Sequence, residues 1–184
     1  MDAIQPKLRL YYVDDEYTDL LRLHGDHNVL NHVSATYVHK RVYVGPFYID
    51  NYVYYAPFSS IKTTDFVNYD NEDTPKESSV FVHRIMGNDG RLFTKIKFSH
   101  MLPVPDDFVT EINIKTIDAK PHYLDKLAFM NWYIKQNKVE LIDRAHLIYE
   151  KKMNNITHPN IINFPRLNQL NDQMCNRPDL YNDR

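Results

Sequence analysis

The segment Ser59-Ser60-Ile61-Lys62 places two hydroxyl groups and one ammonium group close together at the end of a β-rich run. Pro57 comes just before it, and because proline donates no backbone N–H, we expect regular strand pairing to stop or bulge there. Ser60 and Lys62 are two residues apart, so they share one face if the chain stays extended. Hydroxyl donors beside a cation suit a phosphodiester better than an acyl group or a metal ion.

A second β-rich run precedes this segment, and the two runs flank a polar turn at Asp50-Asn51, which predicts a β-hairpin. Tyr37 and Arg41 are four residues apart on the first run, so they share a face. The hairpin would bring them close to Ser60 and Lys62. The predicted site therefore combines hydroxyls, a phenol and two cations.

The hydrophobic pattern predicts one α+β domain spanning residues 1–184, in which an antiparallel sheet carries helices. Asp14 is placed to cap an N-terminal helix that ends near His24. Apolar residues at helical spacing predict a helix pair from Pro121 to Met153. The other predicted elements are strands at residues 8–13, 79–86, 91–101 and 108–114, and one short helix at 166–174.

Composition excludes several classes of site. The chain has 4 Gly and lacks both G-x-G-x-x-G and Walker patterns, which argues against a glycine-cradled phosphate loop. Its one cysteine, Cys175, excludes a disulfide framework and a cysteine-based zinc site. The 9 His include no H-E-x-x-H motif, so we expect no metal, although His39, His83 and His100 could reach a common face. The absence of a signal peptide or membrane-length apolar run predicts a cytoplasmic protein.

The net charge of −2 argues by itself against a nucleic-acid partner, but the basic residues concentrate in the predicted strands. Between the two basic stretches, the loop at 65–77 carries five acidic residues and one lysine. A basic strand layer binds a polyanion when the local potential is positive, whatever the total charge. The alternative is that these cations only keep the strand faces soluble. The candidate nucleic-acid-binding residues are Lys40, His39, Arg84, Arg91, Lys95 and Lys97.

Motif order adds a more specific signal over residues 8–153. The most specific part is Ala-Pro-x-Ser-Ser-x-Lys at Ala56 to Lys62. Around it lie, in order, a strand entering a helix at 8–23, Tyr37-x-x-x-Arg41 before Val44-Gly45, a Gly90-to-Phe98 strand, Met101-x-Pro103-Val104 and the helical region 123–153. In these features the chain resembles the ToxN/AbiQ family, the endoribonuclease toxins of type III toxin–antitoxin systems. The tail from Asn154 lies outside the resemblance.

The resemblance implies a MazF/Kid-like core, a compact curved antiparallel β-sheet or barrel with an N-terminal helix and a C-terminal helix pair. It also implies a role in abortive infection and phage defence, and cleavage of RNA without metal or cofactor, giving 2′,3′-cyclic phosphate and 5′-hydroxyl ends. The implied partners are substrate RNA and a repeated pseudoknot antitoxin RNA, which the toxin cuts from a precursor and then binds in a cyclic or higher-order assembly. Neither DNA nor a membrane is expected as a partner.

Carried over residue by residue, the implied catalytic set is Tyr37, Arg41, Ser59, Ser60 and Lys62. Lys62 could act as base, as acid or as an electrostatic stabiliser of the phosphorane. Arg41 would hold the non-bridging oxygens, and the neighbouring Lys40 is the alternative cation for that role. The competing interpretations are a non-catalytic RNA-binding β module and a protein-interaction domain.

Overall fold

The structure, a computed structural model, describes residues 7–30, 40–68 and 74–176. These residues contain seven strands and four α-helices. The strands are β1 (Arg9–Val13), β2 (Val42–Ile49), β3 (Tyr52–Ser59), β4 (Val82–Met86), β5 (Leu92–Lys97), β6 (Leu102–Pro103) and β7 (Val109–Glu111). The helices are α1 (Asp15–His24), α2 (Pro121–Gln136), α3 (Lys138–Asn154) and α4 (Phe164–Asn176).

The strands form one antiparallel sheet in the order β4-β5-β3-β2-β1-β7, and β6 pairs with β3 beside that path. This confirms the predicted α+β class. The sheet is open: within the described ranges its edge strands, β4 and β7, do not pair with each other, so the barrel form of the prediction is not adopted. The helices α2, α3 and α4 bury their apolar sides against it, around side chains such as Leu127, Ile148 and Phe164.

The central hairpin of β2 and β3 turns at Asp50-Asn51 as predicted, and Asp50 adopts a positive φ of 52°. The pairing is irregular between Val44 and Phe47, next to the cis Gly45–Pro46 peptide. Gly45 is required by close approach, because a Cβ there would lie 2.5 Å from the ring of Tyr55.

The pairing of β3 with β2 ends at Pro57, opposite Tyr43, as predicted, but the strand itself continues to Ser59, where it pairs with β5. On the other edge of β3, the partner β6 faces residues 54–55 and the partner β5 faces residues 58–59. Pro57 therefore lies between these two partners, where its missing N–H leaves no ladder bond unmade.

The N-terminal helix forms for the predicted reason. The carboxylate of Asp14 accepts hydrogen bonds from the backbone N–H groups of Glu16 and Tyr17, which caps α1. Tyr17, fully buried on this helix, donates its hydroxyl to the carbonyl of Pro103 at 2.6 Å. This bond ties α1 to β6.

The segment beyond Asn154, unassigned in the resemblance, contains α4 and belongs to the core. Asn168 accepts a hydrogen bond from the buried hydroxyl of Tyr54, and Asp172 accepts one from Tyr52 at 2.8 Å. Asn171 donates to the hydroxyl of Tyr17 at 3.3 Å. The helix α4 therefore closes the core over the β3 side of the hairpin and over α1.

We expect Tyr17→Phe to lower the free energy of unfolding by about 1–3 kcal/mol, because the carbonyl of Pro103 and the amide of Asn171 would lose a buried partner. Tyr48→Phe is the matched control, since Tyr48 is 57% exposed and should change stability little. Urea unfolding of both variants tests this. Equal stability of the two variants would contradict the assigned role of the hydroxyl.

Candidate active site

A row of polar residues crosses three neighbouring strands at the end of β3. Ser59 pairs with Lys95 of β5, and Lys95 pairs with Arg84 of β4. Directly paired residues point to the same face of a sheet, so these three side chains share one face. The next row, Phe58, Ile96 and His83, points to the opposite face. The sheet therefore presents hydroxyl and cationic groups together on one side of the strand end.

A buried carboxylate collects the cations of this row. Asp65 is 3% exposed and accepts hydrogen bonds from the ammonium group of Lys95 and, at 2.9 Å, from Arg84. Burial alone would raise the pKa of Asp65, but hydrogen bonds from Lys95, Lys62 and Arg84 and the charge of Lys95 outweigh it, so the pKa is lowered. Asp65 is therefore held as an anion.

The segment that carries the predicted chemistry lies directly over this carboxylate. Ser60 and Lys62 are exposed, in irregular chain between β3 and a short 3-10 turn at Thr63–Asp65. The backbone N–H of Lys62 donates to Oδ2 of Asp65 at 2.9 Å, and the N–H of Asp65 donates to the carbonyl of Lys62 at 2.9 Å. This reciprocal pair fixes the path of the chain at Lys62.

The structure brings Arg41 to the strand end and leaves Lys40 elsewhere. Arg41 donates from Nη1 to the carbonyl of Phe58 at 3.1 Å, one residue before Ser59. Lys40 is exposed and lies 4.0 Å from a carboxylate oxygen of Asp15 in α1. Of the two candidate cations, Arg41 is the one beside the Ser59–Lys62 segment.

Lys97 adds a further amine to this group. It lies two residues beyond Lys95 on β5 and is half-buried. Its pKa is lowered, first by burial and then by the charges of Lys95, Lys62 and Arg41, with Asp65 acting in the opposite direction. The charges of Lys95, Lys62 and Arg41 thus act on Lys97, and we call these four residues the cationic cluster. Such a cluster suits a bound polyanion, which would neutralise it.

His100 lies next to the same cluster, in the 3-10 turn that follows β5. Its Nδ1 and Oγ of Ser99 are hydrogen-bonded at 2.8 Å. Its pKa is lowered to about 4, first by burial and then by the charges of Lys97 and Arg41, against Asp26. His100 is therefore neutral at pH 7.

The other predicted residues are placed differently. Tyr37 and His39 lie outside the described residues. Arg91 is exposed at the β4–β5 turn, about 13 Å along the strand from Lys95. Lys95 and Arg84 are bound to Asp65, and Lys95 is 4% exposed. Contact with RNA stays a prediction for each of the residues proposed for it, which are Tyr37, Lys40, His39, Arg84, Arg91, Lys95 and Lys97.

His83 does not join a common face with His100. Its Nε2 is 2.9 Å from the hydroxyl of Tyr133 in α2, and its Nδ1 is 3.4 Å from Glu140 in α3. His83 therefore links the back of the sheet to the helix pair.

Asp65 is the residue that sequence reasoning missed. The sequence analysis groups it with the acids of the loop at 65–77, yet it stands three residues after Lys62, the spacing of a capping-box acid to its N-cap residue. That spacing is the signal that could have found it. The buried partners Lys95 and Arg84 are far away in sequence and carry no such signal.

Two further findings bear on the site. Within 7–30, 40–68 and 74–176, no group of three or more His, Cys, Asp or Glu side chains is arranged to hold a metal ion. In the same ranges, no helix combines the length and the apolar character needed to cross a membrane.

The sequence matches one known protein family over most of its length. Residues 9–172 match the family described as toxin ToxN of type III toxin–antitoxin systems. The chain belongs to this ToxN family. The match runs through most of α4, so the tail helix is part of the family domain. A search of curated protein sequences finds no match.

Three solved structures of bacterial proteins have the same fold as this chain. One comes from work on bacterial type III systems in which a non-coding RNA pseudoknot selectively inhibits the toxin; it has a TM-score of 0.74 and 20% identity and covers 97% of this chain and 100% of its own. The lactococcal protein AbiQ, an anti-phage endoribonuclease of a type III system, has a TM-score of 0.73 and 19% identity and covers 93% and 99%. A third comes from a bacterial antiviral system regulated by a processed non-coding RNA, with a TM-score of 0.73, 20% identity, and coverage of 88% and 95%.

The low pKa of His100 predicts a specific pH dependence of stability. Between its unfolded pKa of about 6.5 and its folded pKa of about 4, the unfolded chain binds a proton that the folded chain does not, so stability falls as the pH falls through this window. Urea unfolding from pH 7 to pH 4 should show an extra loss on the order of 1–3 kcal/mol in wild type relative to His100→Asn. Parallel curves for the two proteins would contradict the buried, neutral histidine.

Proposed function

We propose that this chain is a metal-independent endoribonuclease toxin of a type III toxin–antitoxin system that acts in phage defence. The observation that carries the proposal is the cationic cluster at the end of β3, where the charges of Arg41 and Lys62 act on Lys97 and where the next residue of the chain is the exposed Ser60. Membership of the ToxN family and the endoribonuclease activity of the similar protein AbiQ support the same reading.

The chemistry requires three tasks. The 2′-oxygen of the RNA must lose a proton, the pentavalent phosphorane must be stabilised, and the 5′-oxygen must gain a proton. The RNA brings its own attacking oxygen at high effective concentration, so no protein nucleophile is needed. The protein therefore has to position the phosphate, stabilise charge and move protons.

Each residue of the predicted catalytic set fits one of these tasks. Arg41 has a planar fork that matches two non-bridging phosphate oxygens and does not lose its proton. Ser59 and Ser60 donate to the phosphate or orient the 2′-hydroxyl. Lys62 stabilises the phosphorane or transfers a proton. Tyr37, which we assign from the motif alone, stacks on a base or donates to the phosphate.

We propose the same partners for this chain as those of its relatives. The inhibitor is a repeated pseudoknot RNA, which the toxin cuts from a precursor and then binds in a cyclic or higher-order assembly. The relatives inhibited or regulated by non-coding RNA support this part of the proposal. The positive surface around Lys62 and Lys97 serves both the substrate and the inhibitor, because both present the same phosphodiester backbone.

Product analysis tests the reaction. Purified protein incubated with RNA in excess EDTA should yield fragments with 2′,3′-cyclic phosphate and 5′-hydroxyl ends, and a single 2′-deoxy substitution at a cut position should block that cut. Loss of cleavage in EDTA would indicate a metal nuclease. Salt-dependent binding without fragments would indicate the non-catalytic RNA-binding module.

Mutation tests the residues. Ser60→Ala and Lys62→Ala should each lower the cleavage rate on the order of 10²-fold or more, as expected for positioned acid–base or oxyanion groups. Lys115→Ala is the matched control, because Lys115 is also an exposed lysine but lies in the loop after β7. Undiminished cleavage and toxicity in both site variants would contradict the assignment.

Lys62→Arg separates two roles of Lys62. Arginine keeps the positive charge but does not give up its proton at ordinary pH. If Lys62 stabilises the phosphorane, this variant should keep much more activity than Lys62→Ala. If Lys62 transfers a proton, the two variants should be equally impaired. Single-turnover rates of the two proteins on one RNA decide between these roles.

A further inference from the structure

We propose that Asp65 is a positioning residue that holds the backbone of Lys62 so that the Lys62 side chain faces the scissile phosphate. The inference rests on the proposed ribonuclease function and extends it to a residue that touches no substrate. Asp65 is 3% exposed and lies beneath the segment that carries Ser60 and Lys62.

The contact with Lys62 is direct. Oδ2 of Asp65 accepts the backbone N–H of Lys62 at 2.9 Å, and the backbone N–H of Asp65 returns a bond to the carbonyl of Lys62. Lys62 is held in an extended conformation, with φ −129° and ψ 159°. Fixing the backbone on both sides of Cα fixes the direction in which the Lys62 side chain leaves the chain.

Asp65 is itself held in place from three directions. Lys95 and Arg84 bind its two carboxylate oxygens from β5 and β4. Its carbonyl accepts the N–H of Lys76 at 2.8 Å, on the returning side of the acidic loop. The carboxylate therefore transmits the rigid geometry of the sheet to a segment that has no ladder bonds of its own.

This arrangement explains why the buried Lys95 and the partly buried Arg84 lie beside the cationic site. A buried ion pair contributes little net stability compared with well-packed apolar residues, so its presence calls for another reason. Here the cations orient a carboxylate, and the carboxylate orients Lys62. Placing functional side chains within about 0.5 Å of a productive position requires such support from rigid elements.

Two double variants isolate the hydrogen bond from the charge. Asp65→Asn with Lys95→Met removes both charges but keeps an amide oxygen that can accept the N–H of Lys62. Asp65→Leu with Lys95→Met removes the same charges and both acceptors, the one for the N–H of Lys62 and the one for Arg84, with nearly the same side-chain size. Removing both charges avoids leaving an unpaired buried lysine, which would destabilise the fold.

We expect the Asn-containing variant to cleave RNA at least 10-fold faster than the Leu-containing variant, as a difference in kcat with similar KM, because the two variants carry the same set of cations. In a Lys62→Ala background the ratio of the two rates should fall to about 1, since the acceptor acts only through Lys62. If Asp65 had a merely structural role, the ratio of the two rates would be the same with and without Lys62. That result would overturn the proposal.

Hydrogen exchange on the wild-type protein keeps the test independent of folding in the variants. The amide of Lys62 should be protected although its side chain is exposed; exchange at the rate of an open amide would overturn the proposal. Equal cleavage by the two double variants would overturn this inference alone. Absence of cleavage by the wild type itself would overturn the proposed function together with the inference.

Discussion

The buried carboxylate of Asp65 holds the end of β3, its neighbouring strands and the segment that follows it in one arrangement. Asp65 draws Lys95 and Arg84 together from two strands and holds the backbone of Lys62 above them. Because hydrogen bonds and the charge of Lys95 outweigh the effect of burial on its pKa, Asp65 stays ionised, and the network keeps one anion among several cations. Without that anion, Lys95 would be an uncompensated buried charge, and the backbone N–H of Lys62 would lose its bond to the Asp65 carboxylate.

The rest of the site follows from charge and topology. The end of β3 pairs with β5, and Arg41, the residue before β2, hydrogen-bonds to β3 near the same place. This topology brings Arg41, Lys62 and Lys97 together although they are distant in sequence. Burial first, and then the charges of the neighbouring cations, lower the pKa values of Lys97 and His100. A bound phosphodiester would relieve the repulsion among these cations. Under the proposed function, the cluster would therefore stabilise an RNA backbone more than an isolated surface lysine could.

Local signals predicted much of this structure. The cap at Asp14, the turn at Asp50-Asn51 and the helical spacing after Pro121 each depend on neighbours in the chain, and each element formed close to its predicted limits. The effect of Pro57 on strand pairing could be predicted only in part, because it depends on which strand lies beside Pro57. The burial of Lys95 and Arg84 could not be predicted either, because it depends on Asp65 reaching them across the sheet. Long-range ion pairs leave no periodic trace in a sequence.

The central claim is that a scissile phosphate binds at the end of β3. A crystal structure of the protein with an RNA whose attacking 2′-hydroxyl is replaced by hydrogen tests it most directly. The account predicts non-bridging oxygens of that phosphate within hydrogen-bond distance of the Lys62 ammonium and the Arg41 guanidinium, with Ser60 alongside. A phosphate at the deoxy position that lies away from these groups, on another face of the sheet, would contradict it.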